Sequence, residues 1–312
     1  MKTYVDSVTW RNDLRALPFL LPFMAVFAVF IGFPLVYSFW ISVHEVTIYS
    51  DFYNIFGTMS FVGFKNYQHV LSDPIFWWSV LLTLAYAALL IFPGMALSLG
   101  LALYLNKQTR GFGLLRSGFF LPNVFDVYVV GVIWLLIYNS NGGLVSYLLN
   151  GIGLKEIAKQ GVLNNPKLGL PAIALVMVLK NAGFGMILFL TSLNNINESL
   201  FEAADIDGCT YFQKLRHVTL PLLKPIIFFL IVTGFVGTLN AFSEIYALTN
   251  DTGGTSIDTG GMTLQTARIS GYHLYKVFSQ SMYGEAAAIS FVLLVIALVL
   301  SFFSYKFLNV KD

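Results

Sequence analysis

From Pro74 to Asn106 the chain carries no charged residue, and the same is true from Leu17 to Val43. Inside a bilayer no water is present to satisfy a backbone N–H or C=O, so a segment that crosses must satisfy its own. About 20 consecutive apolar residues in a helix cover the hydrocarbon core. Six segments reach that length, at about 17–43, 76–104, 117–138, 169–193, 225–247 and 284–305. The fold class is therefore an all-α integral membrane protein with six transmembrane helices. Composition agrees, because 57% of residues are hydrophobic and only 11% charged, against about 25% charged in soluble domains.

Pro18, Pro22, Pro34, Pro93, Pro122 and Pro171 lie in or near the segments and predict kinks. Asp126 lies inside the third segment. Trp40, Trp77, Trp78, Tyr104 and Tyr305 stand near segment ends, where interfacial anchors belong. The first 15 residues are polar and run into the first segment without a small-residue cleavage site, which reads as a retained span. Cys209 is the sole cysteine, so no disulfide forms within the chain. A net charge of +2 with no basic stripe gives no footprint for nucleic acid.

Orientation follows from lysine and arginine. One set of polar segments holds Lys2, Arg11, Arg15, Lys107, Arg110, Arg116, Lys214, Arg216, Lys224, Lys306 and Lys311. The other holds Lys65, Lys155, Lys159, Lys167, Arg268 and Lys276, and Lys180 lies within a span. The richer side is cytoplasmic, which puts the N-terminus (1–16), the C-terminus (307–312) and the polar stretch at 195–224 inside. Segments 44–75, 139–168 and 248–283 are then outside. Within them Leu144 to Leu154, after Gly142-Gly143, has the pattern of a short amphipathic interfacial helix.

The inside stretch 195–224 has a distinct local chemistry. Ser199-x-x-Glu202 and Thr210-x-x-Gln213 each fit a capping box. Gly208 suits the left-handed residue that ends a helix, and Pro221 and Pro225 are expected to stop the second helix and restart the chain. Two helices of two to three turns each are marginal alone and need something to pack against. Glu202-Ala203-Ala204, Gly208 after three more residues, and Val218-Thr219-Leu220-Pro221 after a further nine resemble the "EAA" loop of permease subunits of binding-protein-dependent ABC importers. Val218 replaces the usual isoleucine.

Further motifs resemble the carbohydrate-type permeases of that family. They are Phe61-Val62-Gly63-Phe64-Lys65-Asn66-Tyr67, Asn141-Gly142-Gly143-Leu144 through Leu149, Phe242-Ser243-Glu244-Ile245 through Thr249, Gly253-Gly254 with Thr259 and Thr263, and Tyr283-Gly284 with Ala286-Ala287-Ala288. In the fourth, the family's proline is absent and residues are inserted. The resemblance covers nearly the whole chain, with 76–306 as the core permease domain. It implies the type I importer fold and a location in a bacterial or archaeal cytoplasmic (inner) membrane. It implies partners too: two ATP-binding-cassette ATPase subunits, a second homologous six-span permease rather than a copy of this chain, and an extracytoplasmic solute-binding protein. Glu202, Ala203, Ala204, Asp207, Gly208, Leu220 and Pro221 would couple to the ATPases. The solute would be an oligosaccharide, sugar, polyol or glycerol phosphate.

The chain has no G-x-x-x-x-G-K-[ST], so it holds no Walker lysine, and no H-E-x-x-H; its histidines at 44, 69, 217 and 273 are scattered. Neither a catalytic constellation nor a metal set nor a cofactor motif is expected, and ATP hydrolysis falls to partner subunits. A self-contained secondary transporter or channel also fits six spans and an intramembrane lysine, but would have no use for the loop. A membrane-embedded enzyme lacks its catalytic residues.

Lys180 lies mid-span, where a lysine costs about 2.5–3.5 kcal/mol on insertion scales. Counting ~1.5 Å per residue, Asp126 lies nearest it in depth and is its expected partner. Two readings stand: a structural ion pair or backbone contact, or a hydrogen-bonding group on the solute path. Asn181, Asn240, Glu244 and Tyr246 offer polar edges and a ring suited to a sugar.

Overall fold

The computed structural model describes residues 19–51, 59–106 and 111–308. The terminal segments 1–16 and 309–312, Pro18, Lys2, Arg11, Arg15, Lys107, Arg110 and Lys311 lie outside the described residues. In chain order the elements are α1 (Phe19–Ser42), β1 (His44–Glu45), β2 (Ser60–Phe61), α2 (Lys65–Ser72), α3 (Pro74–Leu105), α4 (Phe112–Val124), α5 (Val127–Tyr138), α6 (Leu144–Gly151), α7 (Lys155–Gln160), α8 (Gly169–Asn194) and α9 (Glu198–Ile206). Then come α10 (Tyr211–Leu222), α11 (Lys224–Leu239), α12 (Ser243–Thr249), β3 (Ser256–Thr259), β4 (Met262–Gln265), α13 (Ser270–Ser279) and α14 (Tyr283–Leu308).

Four helices, α1, α3, α8 and α14, are long and apolar enough to cross a membrane alone. Two bent pairs pass the same test together: α4 with α5, at 97°, and α10 with α11, at 65°. Counting each pair as one span gives six. The straight third segment expected at 117–138 is thus corrected to a helix broken at Phe125-Asp126. The fifth, expected as continuous to 247, ends at Leu239 and resumes in α12.

Both breaks have their exposed backbone groups met by side chains, as a low-dielectric interior requires. Asp126 is the N-cap of α5, its carboxylate accepting the Tyr128 N–H at 2.8 Å. At the other side of that break, the Asn123 carbonyl accepts from Lys180 Nζ at 3.4 Å. Among the described residues no ion pair joins Lys180 to Asp126, so the expected pairing is corrected. The aspartate is occupied as a cap, and the ammonium sits on a helix-terminal carbonyl, where a cation is favoured. At the fifth span's break, the Leu239 carbonyl accepts from Ser270 Oγ at 3.2 Å, and the Ser270 N–H donates to Thr83 Oγ1 at 2.8 Å. Ser270 and Thr83 are both buried.

Prolines are absorbed by a second device. A π-turn over Ala28–Gly32 precedes Pro34, with the Phe33 N–H on the Ala28 carbonyl. Another over Leu215–Thr219 precedes Pro221, with the Leu220 N–H on the Leu215 carbonyl. A proline clashes with the carbonyl four residues back, and one extra residue in the turn moves that carbonyl aside. Pro221 therefore does not stop its helix as expected. The helix runs to Leu222, and Pro225 opens α11.

The chain divides into two compact units, 1–70 with 277–291 and 71–276 with 292–312. In the first, Asn66 Nδ2 donates to the carbonyls of Ser42 and His44 at 2.9 and 3.0 Å, and Tyr67 Oη lies 2.7 Å from Ser42 Oγ. The Tyr283 N–H reaches the Val46 carbonyl at 3.0 Å. Gly284 has no side chain because a Cβ there would overlap the His44 carbonyl. The Phe61–Tyr67 and Tyr283-Gly284 motifs are thus the two halves of one clasp at the end of α1.

In the second unit α8 is the hub. Of its apolar window 67% is buried, against 28% for α3. Ser98 Oγ of α3 donates to the Ala182 carbonyl at 3.0 Å. Gly183 faces the α4 backbone, where a Cβ would overlap the Phe119 carbonyl and lie 2.7 Å from Phe120 Cα. Outside, β3 and β4 form a hairpin paired Ser256↔Gln265 to Thr259↔Met262. It is rooted by Trp78 Nε1 donating to the Gln265 carbonyl at 3.0 Å. The expected amphipathic segment forms α6, with Ser146 buried and Leu144, Tyr147 and Leu148 exposed.

Gly183→Leu is expected to push α4 off α8 and cost more than the ~1–3 kcal/mol usual for overpacking, because the obstacle is backbone. Gly118→Ala, on α4 with open space around its Cβ, serves as the control. Thermal unfolding of the purified protein reads both, and equal melting temperatures would contradict this packing. For Lys180, Lys180→Met should lower the yield of folded protein. Adding Asp126→Leu should lower it further by removing a cap worth about 1 kcal/mol. Restoration by the double change would revive the ion pair.

Candidate functional site

The loop at 195–224 is built by two caps and a turn. Asn197, not Ser199, begins α9, its Oδ1 accepting the Ser199 N–H at 3.1 Å. The expected Ser199–Glu202 capping box is corrected accordingly, since Asn197 already takes the N-cap place two residues earlier. The helix ends in a Schellman turn: the Cys209 N–H bonds the Ala204 carbonyl at 2.9 Å, the Gly208 N–H bonds the Asp205 carbonyl at 3.0 Å, and Gly208 has φ +71°. A side chain at Gly208 would meet open space, so only the left-handed backbone demands glycine. The Thr210–Gln213 box forms as expected, with the Thr210 N–H on Gln213 Oε1 at 2.7 Å. Lys214 of α10 pairs with Asp205 of α9 and ties the two helices together.

Ala204 is buried, whereas Glu202, Ala203, Asp207, Gly208 and Pro221 are exposed and Leu220 is half-buried. Ile206 and Phe212 are 88% and 77% exposed, flanking the turn. Large apolar side chains at the tip of an otherwise polar loop mark a surface that expects a partner. Sequence reading passed over both, although their signal was present: bulky apolar residues in a stretch chosen for its polarity.

A second feature is a cavity of about 340 Å³ among α3, α8, α11 and α12, within the usual range of small-molecule sites. Asn181 and Glu244 line it; Lys180, Asp126, Asn240 and Tyr246 do not. Lys180 is buried at the α4–α5 break, with Asp126 and Glu244 both within electrostatic range of its ammonium. Asn240 caps the end of α11 and donates to its own helix at Val236. The Tyr246 ring meets Tyr275 edge to face and lies tilted against Tyr128. Tyr86, Ser98, Thr233 and Thr238 complete the polar lining and were missed. Tyr86 was the legible one, because a tyrosine mid-span must find a partner for its hydroxyl. That partner is Glu244 Oε1, at 3.1 Å.

In the segment 248–283, His273 accepts from Arg268 Nε at 3.0 Å through Nδ1, which leaves the proton on Nε2, 3.9 Å from Asp73. Burial, then the adjacent guanidinium, pushes this imidazole down to about 4, so it is neutral at physiological pH. No group of His, Cys, Asp and Glu among the described residues is arranged to hold a metal ion.

The family model for the binding-protein-dependent transport system inner membrane component matches residues 9–310. The chain is 33% identical over 298 residues to the trehalose/maltose transport system permease protein MalF of Thermococcus litoralis, covering 95% of this chain and 94% of that one. It is 31% identical to the arabinooligosaccharides transport system permease protein AraP of Bacillus subtilis, covering 95% and 91%. It is 30% identical to the lactose transport system permease protein LacF of Rhizobium radiobacter, covering 98% and 95%. In fold it matches a chain of a bacterial ABC transporter involved in the import of the acidic polysaccharide alginate, with TM-score 0.76, 22% identity, and coverage of 98% of this chain and 100% of that one. The chain is a multi-pass membrane protein and belongs to the family of inner membrane components of binding-protein-dependent transport systems.

Proposed function

We propose that this protein is the permease subunit of an ATP-driven importer and forms half of a translocation pathway for a carbohydrate or related solute. The observation that carries the reading is the loop at 197–222. It is a rigid two-helix element, closed by a Schellman turn, a capping box and the Lys214–Asp205 pair, and it leaves Ile206 and Phe212 uncovered. Such an element transmits force only if something grips it. The partners are two ATPase subunits, which hydrolyse the ATP, a second homologous permease and an extracytoplasmic solute-binding protein. Both termini are cytoplasmic. Similarity to permeases of trehalose/maltose, arabinooligosaccharide and lactose systems supports the carbohydrate class.

In this mechanism, closure of the ATPases on ATP displaces α9 and α10. The short α10, continuous through its π-turn to the 65° bend before α11, carries that displacement into a helix lining the cavity. The loop is the element whose two positions both the ATPase and the solute bias. Glu202, Ala203, Asp207 and Gly208 form the grip, and Leu220 and Pro221 lie in the lever.

Gly208→Leu strains the left-handed turn, and Glu202→Lys reverses a charge on the exposed face of α9. Each is expected to reduce ATPase co-purification with the transporter at least tenfold while the permease stays in the membrane. Undiminished recovery of the ATPase with both variants would sink the coupling-loop assignment.

A further inference from the structure

The cavity among α3, α8, α11 and α12 has a one-sided hydrogen-bonding surface. Ser98 Oγ donates its proton to the Ala182 carbonyl at 3.0 Å, Thr233 Oγ1 to Phe229 at 2.7 Å, and Thr238 Oγ1 to Phe235 at 3.0 Å. A hydroxyl has one proton to give, so these three oxygens have only lone pairs left to offer. The Tyr86 hydroxyl is likewise spent on Glu244 Oε1 at 3.1 Å. The glutamate is an acceptor and the one carboxylate in the lining. Asn181 alone has an amide to donate, its Oδ1 accepting from Asn123 Nδ2 at 3.4 Å. No lysine, arginine or histidine lines the cavity. The nearby ammonium, Lys180, is buried behind it on the Asn123 carbonyl.

We propose that Glu244 and this acceptor-lined cavity select for solutes that donate hydrogen bonds, neutral polyhydroxyl compounds or cations, and exclude anionic ones such as uronates and sugar phosphates. The inference rests on the permease reading and narrows its solute class. Carboxylate and phosphate groups only accept, so they meet no donor here beyond one amide. They also meet Glu244, the one carboxylate in the lining. A sugar hydroxyl meets the opposite situation, with Glu244 and the hydroxyl oxygens of Ser98, Thr233 and Thr238 among the lining residues left to accept its proton. The alginate importer that shares this fold handles an acidic polysaccharide, so the selectivity proposed here belongs to these side chains and not to the architecture.

The test needs no knowledge of the solute. Gly237 lines the cavity, and a Cβ there meets nothing within 4 Å. In the assembled transporter carrying Gly237→Cys and Cys209→Ser, the cysteine is modified by a trimethylammonium methanethiosulfonate and by its sulfonate counterpart. Each rate is normalised to reaction with a free thiol. The expected cation-to-anion ratio is on the order of tenfold or more, and adding Glu244→Gln should bring it to about twofold or less. A ratio near one before that change, a preference for the sulfonate, or a ratio indifferent to Glu244→Gln overturns the proposal. So does silence from both reagents, which would mean the cavity is off any aqueous path. None of these results bears on ATPase co-purification, so this inference and the coupling-loop reading fail separately.

Discussion

Everything in this structure answers to one constraint: in hydrocarbon, a backbone polar group without a partner costs several kcal/mol. Unbroken helices meet it within themselves, and four spans are unbroken. Two of the departures from a straight helix are the informative ones, because each is met by a named side chain. Asp126 and Lys180 serve the break between α4 and α5, and Ser270 serves the break after Leu239. These polar residues, costly at membrane depth, hold open the geometry that a cavity needs. Without the breaks, α5 and α12 would continue their spans, and Val127 and Glu244 would not meet the lining of α3, α8 and α11.

The same economy links the cavity to the loop. Two of the helices around the cavity adjoin the loop: α8, which ends at Asn194 just before α9, and α11, which follows α10 through the bend at Leu223. The α11 residues Thr233 and Gly237, which line the cavity, therefore lie on the helix that follows α10 across the bend. The π-turn before Pro221 keeps α10 continuous where a proline would otherwise break it. In the proposed mechanism this keeps the lever stiff between the loop and the bend.

Much of this was legible in the chain. The spans follow from the absence of charge, the turn from Gly208 at its place after Ala204, and the second cap from Thr210 and Gln213. Each is a local rule with a local cause. The misses share a different cause. Matching Lys180 to Asp126 by depth assumed straight helices, and a 97° bend removes the meaning of residue counts. Pro221 was read as a stop because the one-residue widening that rescues it leaves no mark in the sequence. Ser199 fits a cap as well as Asn197 does, and only the start of the helix decides between them. Thr233 and Thr238 look like ordinary span threonines, and their role depends on which helices face them. The motif residues Asn66 and Gly284 could be recognised but not explained until His44 was seen to stand between them.

The central claim, that the loop faces the cytosol and is gripped there by an ATPase, can be read from the chain's one thiol. Cys209 follows Gly208 directly and is half-buried in the turn. A membrane-impermeant maleimide applied to the assembled transporter should label it in inside-out vesicles and leave it untouched in right-side-out ones. Removing the ATPase subunits from the inside-out vesicles should raise labelling several-fold. Ready labelling from the outer face would invert the topology, put the loop out of reach of ATP, and contradict the account.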